Sequence, residues 1–188
     1  YNLAEWYLKK HWPPAAGIEH LRDLTPNRLK VPTAEIYRAL KRLPDKPTRT
    51  QLRKIFGRED QDRLDQIFSS HADIGTYDLR GVMLYGLGEI LRSRGFADLL
   101  TKRDINRVGQ FFHLSHDGDR CYRTTEDGAQ TEFLVPTDDA ELDRLAKKRT
   151  NLAYQPGRYA CSTANVDALL DLADATDGVI GAQLAGAG

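Results

Sequence analysis

The stretch from residue 79 to residue 100 constrains the fold more than any other part of the chain. Its apolar side chains return at helical spacing, with Val82, Met83, Leu87, Ile90 and Leu91 on one face. This predicts a long helix whose stripe other elements must cover. Gly81, Gly86 and Gly88 fall inside it, and each lowers helix propensity by about 1 kcal/mol relative to alanine. Small residues at that spacing predict a neighbour packed close to the helix backbone.

The elements around this helix read as short helices with punctuated connections. Leu3, Trp6, Tyr7 and Lys10 keep helical spacing until Pro13 and Pro14 stop them. Thr33 is placed to cap residues 34–43, whose Ile36, Tyr37, Leu40 and Leu43 form a stripe ending at Pro44. Residues 50–56 and 60–68 predict two more short helices. Asp104 is placed to cap a helix that buries Ile105, Val108, Phe111 and Phe112, and Asp138 with Glu141 fits a reciprocal cap. Ser162 is placed to cap residues 163–175, with Val166, Leu169, Leu170 and Ala173 facing inward. The polar segment after Cys121 predicts a hairpin or an ordered loop, and Asp177-Gly178 turns the chain into a strand over residues 179–184. The fold class expected is α+β: a helix-rich lobe with a small, mainly antiparallel, ferredoxin-like sheet, against one face of which the Asp104 and Ser162 helices pack.

Charge excludes some functions. The 188 residues carry 27 basic and 27 acidic side chains, so nothing electrostatic recommends nucleic acid or an anionic membrane. No apolar run approaches the roughly 18 residues of a spanning helix, and no signal peptide opens the sequence. Cys121 and Cys161 are too few and too far apart for a disulfide framework, so a reducing cytoplasm is the expected location.

Individual candidate sites are weak on residue type alone. His113 and His116 lie three apart with Cys121 and Cys161 further along, far short of a spaced zinc set. Asp117, Gly118 and Asp119 open like a calcium loop, but the glycine is misplaced and no glutamate follows at the twelfth position, so they read as a solvated turn. Tyr1, Trp6, Tyr7 and Trp12 can stack on a sugar or simply fill a core. The closing Gly186, Ala187 and Gly188 are either a Gly/Ala tail or a turn whose N–H groups approach a phosphate.

Taken in order, however, several segments resemble the C-terminal part of galactokinases, within the GHMP small-molecule kinases. Tyr1-Asn2-Leu3 resembles the start of the family's Tyr-Asn-x-Arg-Arg helix, and Leu21-Arg22-Asp23-Leu24 its Leu-Arg-Glu-Val segment. Arg80-Gly81-Val82 with Glu89 resembles the Arg-His-Val…Glu helix. Asp104-Ile105-Asn106-Arg107-Val108-Gly109-Gln110-Phe111-Phe112, followed by Ser115-His116, is similar to Asp-Leu-x-x-Phe-Gly-x-Leu-Met and its Ser-His. Tyr159-Ala160-Cys161-Ser162 with Val166-Asp167 resembles the Tyr-x-x-Ser-Cys…Leu-Asp motif. Residues 178–188 are similar to Gly-Val-x-Gly-Ala-Arg-Leu-Thr-Gly-Ala-Gly, with Gln183 for arginine and Ala185 for threonine.

The resemblance implies an ATP-dependent kinase, using Mg²⁺, that phosphorylates the anomeric hydroxyl of galactose or a related monosaccharide. The other implied reading is a non-catalytic homologue that binds sugar and ATP and regulates a partner protein. Tyr1 would touch the sugar, and Gly186, Ala187 and Gly188 would form a phosphate loop. Residues 1–103 would be the helical part of the C-terminal lobe and residues 104–188 its core, with an inserted segment at 117–158 that marks a divergent branch. The family's Arg-x-Asn-x-x-Gly-Glu-His motif, Gly-Leu-Ser-Ser-Ser loop and catalytic Asp all lie upstream in the ATP-binding domain. None occurs in this chain, which therefore reads as truncated at both ends, without a catalytic residue, and inactive alone.

Overall fold

The computed structural model describes residues 1–185. Among them the helices are α1 (Asn2–His11), α2 (Pro26–Leu29), α3 (Thr33–Arg42), α4 (Arg49–Phe56), α5 (Gln61–Ser69), α6 (Leu79–Thr101), α7 (Ile105–Asp119), α8 (Asp139–Lys148) and α9 (Ala164–Asp174). Strands β1 (Tyr122–Thr124) and β2 (Gln130–Glu132) form a two-stranded antiparallel ribbon in which Arg123 faces Thr131. The fold is helix-rich α+β with a small antiparallel sheet, as the sequence leads one to expect.

Helix α6 is the axis of the molecule. It begins where Asp78 accepts a hydrogen bond from Gly81 N–H, and it touches α1, α3, α7 and the 3₁₀ turns Leu21–Asp23 and Leu152–Tyr154. Met83, Leu84 and Leu87 are buried in a core that also takes Leu8, Leu24, Ile36, Leu40, Leu52 and Leu64. Trp6 and Trp12 belong to this core, which is the bland reading of those aromatics; Trp6 stacks on Phe56 with Arg63 above its ring. Helix α8, from the segment 117–158, packs on α3 and adds Leu142 and Leu145 to the same core.

Two arginines pin this arrangement through backbone carbonyls. Arg92 is 1% exposed and donates to the carbonyls of Ala153 and Gln155 at 3.0 and 2.8 Å, and to Glu89. Arg80 donates to the carbonyls of Lys41 and Leu43, both at 2.9 Å, and to Asp139. A buried guanidinium is tolerable only when its donors are satisfied in this way. No helix among the described residues is long and apolar enough to cross a membrane.

Several expectations need correction. Residues 179–184 are not a strand: they take no part in a strand ladder, and the Ile180 carbonyl lies against Gly109 of α7. Asp117, Gly118 and Asp119 are not a turn but the last residues of α7, with Gly118 and Asp119 buried. The α9 cap is Thr163, whose hydroxyl accepts from Val166 N–H, rather than Ser162. Of the α9 residues expected inward, Leu169 is 65% exposed and Val166, Leu170 and Ala173 are half-buried; the one buried residue of the helix is Asp167. The Asp138 cap of α8 is present, but Glu141 turns to Arg144 instead of reaching back.

Candidate functional site around Tyr1

Tyr1 precedes α1 and is 40% exposed. Its ring lies where the long helix has no side chain: a Cβ placed on Gly86 would stand 2.6 Å from Tyr1 Cε1 and 2.8 Å from Leu21 Cδ2. Gly86 is therefore the seat of this tyrosine, which gives a specific meaning to one of the α6 glycines. On the other side Tyr1 stacks on Tyr159 with centroids 5.8 Å apart, and Tyr159 stacks on Tyr85 at 5.4 Å with planes 13° apart. The three rings form an offset ladder, the arrangement their quadrupoles favour.

The ladder ends on a buried carboxylate. Tyr85 Oη donates to Asp119 Oδ2 at 2.9 Å, and the Cys161 thiol donates to Asp119 Oδ1 at 3.3 Å. Asp119 is 5% exposed and pairs with no cation among the described residues, since the adjacent Arg120 is directed to Asp171 at 2.6 Å. Burial pushes the Asp119 carboxyl above the usual carboxylate range, against the pull of the Tyr85 and Cys161 hydrogen bonds. Burial also raises the Tyr1 and Tyr85 phenols, with Asp119 and Glu89 adding to the shift, and raises the Cys161 thiol to about 11. The phenols are therefore neutral donors at physiological pH.

Backbone contacts position these groups. The N–H groups of Tyr159 and Ala160 both donate to the Gly118 carbonyl, at 2.7 and 3.0 Å, and Ser162 N–H donates to the Asp119 carbonyl at 2.9 Å. A side chain on Gly118 would enter the Tyr85 ring and meet the Pro156 carbonyl, so the glycine stays inside α7 because Tyr85 lies on it. Ala160 is held at φ +53° beside Tyr159, a left-handed conformation that costs a residue with a Cβ of order 1 kcal/mol.

Behind the ladder, α7 and α9 meet through polar side chains. His116 Nε2 lies 3.2 Å from Asp167 Oδ1, too oblique for a hydrogen bond, while Asp167 Oδ2 accepts from the N–H groups of Cys121 and Tyr122 at 3.0 and 2.8 Å. His113 Nδ1 is 3.2 Å from Asp174, and Asp171 takes Thr124 N–H as well as Arg120. Burial holds the His116 imidazole below its ordinary value, reinforced by Arg120 and opposed by Asp167. The four zinc candidates are dispersed: His113 and His116 lie beside the α9 carboxylates Asp174 and Asp167, Cys161 donates to Asp119, and Cys121 Sγ is 3.9 Å from the Asp119 carbonyl. No three His, Cys, Asp or Glu side chains converge as a metal site among the described residues.

Of the residues singled out from sequence, Tyr1 is at this surface. Gly186, Ala187 and Gly188 lie outside the described residues. Tyr85 carries no motif of its own, and Asp119 enters only through the calcium-loop comparison of residues 117–119. The one signal for Tyr85 is its place beside Gly86, and Asp119 was hidden in what reads as a polar turn. Comparison with protein-family models, with curated proteins and with solved structures finds no match to the chain.

Proposed function

We propose that this chain supplies the C-terminal part of an ATP-dependent sugar kinase of the galactokinase type, acting in the cytoplasm on the anomeric hydroxyl of galactose or a related monosaccharide. The observation that carries the reading is the setting of Tyr1. Its ring is fixed between Gly86 and Tyr159, yet it remains 40% exposed with a neutral phenol. Such a group can cover an apolar sugar face while donating one hydrogen bond to a hydroxyl. The order of the family-like segments supports the same reading.

Among the described residues, the groups that bear on the Tyr1 phenol are Tyr159, Asp119, Glu89 and Cys161, phenol, carboxylates and thiol rather than cations. On this reading, by resemblance alone, ATP and its Mg²⁺ are held by an upstream domain together with Gly186, Ala187 and Gly188. Phosphoryl transfer depends on positioning and charge neutralisation, and the described residues contribute positioning: they hold a phenol at a fixed place on the sugar side. The test is ADP release by the full-length protein over a panel of hexoses and pentoses, with Tyr1→Phe as the diagnostic variant. Turnover with one sugar, and a sugar KM raised by the equivalent of about 0.5–1.5 kcal/mol in Tyr1→Phe, supports the reading. Binding without turnover indicates the non-catalytic homologue, and neither binding nor turnover overturns both. Residues 1–188 alone are expected to give no ADP above the no-protein blank.

A further inference from the structure

Asp119 is an unusual residue to find buried. A carboxylate with no cation beside it carries a desolvation cost that an apolar side chain would not. Both donors that offset this cost adjoin Tyr159. One is Tyr85, whose ring stacks on Tyr159, and the other is Cys161, two residues after it. The backbone of the same turn of α7 takes the N–H groups of Tyr159, Ala160 and Ser162. Tyr159 in turn is one wall of the Tyr1 seat, Gly86 and Leu21 being the others. A carboxylate accepts from both donors at once, whereas an amide offers one oxygen and a competing NH₂.

We infer that Asp119 is a positioning residue, which through Tyr85 and Tyr159 sets where the Tyr1 phenol meets its ligand. The ligand being a sugar rests on the kinase reading above; the placement of the Tyr1 ring does not. The contact is remote, running carboxylate to phenol to ring to ring, so it governs recognition of the group facing Tyr1 and leaves the reacting phosphate untouched.

The experiment compares Asp119→Asn, Tyr85→Phe and the double variant in the full-length protein, with two readouts. The first is NMR of ring-labelled tyrosine. Tyr1, assigned by its loss in Tyr1→Phe, has ring resonances shifted by the stack, and they should move toward free-tyrosine values in both single variants. The second is kinetic. The sugar KM should rise about five- to tenfold, the equivalent of one hydrogen bond, while kcat and the ATP KM stay within twofold. The double variant should cost little more than either single one, because both cut the same chain of contacts. A role in stability alone would lower the melting temperature and depress kcat without this split. Unmoved Tyr1 resonances in a folded Asp119→Asn protein overturn the inference, whatever the kinetics. Moved resonances in a protein that phosphorylates no sugar uphold the placement by Asp119 and overturn the kinase reading instead.

Discussion

The α1–α6 region with α8 and the α7–α9 region hold together by different means. In the first, helices turn apolar stripes inward and the core is built of Leu8, Ile36, Leu40, Leu84 and Leu87. In the second, α9 turns its acidic side inward: Asp167, Asp171 and Asp174 meet His116, Arg120 and His113, while Leu169 and Leu172 face out. The first interface draws on non-directional burial, of the order of 25 cal/mol per Å². The second draws on directed hydrogen bonds to N–H groups of Cys121, Tyr122 and Thr124, each of which contributes about 0.5–1.5 kcal/mol net. An amphipathic stripe thus shows which face is apolar, not which face is buried.

The comparison breaks most easily at its strong side. Leu84→Ala, in a fully buried position, should cost about 2–5 kcal/mol in urea unfolding; a loss under 1 kcal/mol would mean that the core is looser than described. Asp167→Ala should cost less, about 1–3 kcal/mol, chiefly by leaving the partly buried Cys121 and Tyr122 N–H groups without their acceptor. An unchanged midpoint would show that α9 is not held by its carboxylates.

A smaller effect concerns pH. The folded His116 binds a proton less readily than the unfolded imidazole, whose pKa is 6.5. Its contribution is therefore fully present above that value and is lost as pH falls below it. Asp119 has the opposite sign, since its raised pKa makes the folded chain hold a proton longer and favours the fold on acidification. The difference in melting temperature between wild type and His116→Gln, followed from pH 8 to pH 5, isolates the first effect. It should shift in favour of the variant toward acid, and a flat difference would remove His116 from the pH response. The smallest effect is the sharpest test of the inside-out helix. Leu169→Ala and Leu172→Ala should each stay within about 0.5 kcal/mol of wild type, as exposed substitutions do. A core-sized loss from either would show α9 packed the other way round.

What the sequence made legible follows the same division. The long helix is readable almost to its ends from its apolar face: residues 79–100 are expected and Leu79–Thr101 is found. The Asp104 cap was equally plain. Gly118 was misread because its turn propensity yields to a tertiary contact, with Tyr85 against its Cα and two N–H groups on its carbonyl. The strand expected over 179–184 failed because β-type residues need a partner edge, and these lie on α7 instead. Tyr1 enters as a site residue from the resemblance alone, and the Tyr85–Asp119 contact joins residues 34 apart, which no local pattern reports.

Both tryptophans, Trp6 and Trp12, sit within the apolar region, Trp6 between Phe56 and the Arg63 guanidinium. Tryptophan emission therefore observes one half of the molecule only. If α9 and the tyrosine ladder come loose at lower denaturant than the leucine core, the emission curve will stay sigmoidal and will miss that step. Near-ultraviolet dichroism of the stacked tyrosines will record it, and two midpoints from one sample would reveal two cooperative units where a single fluorescence trace reports one.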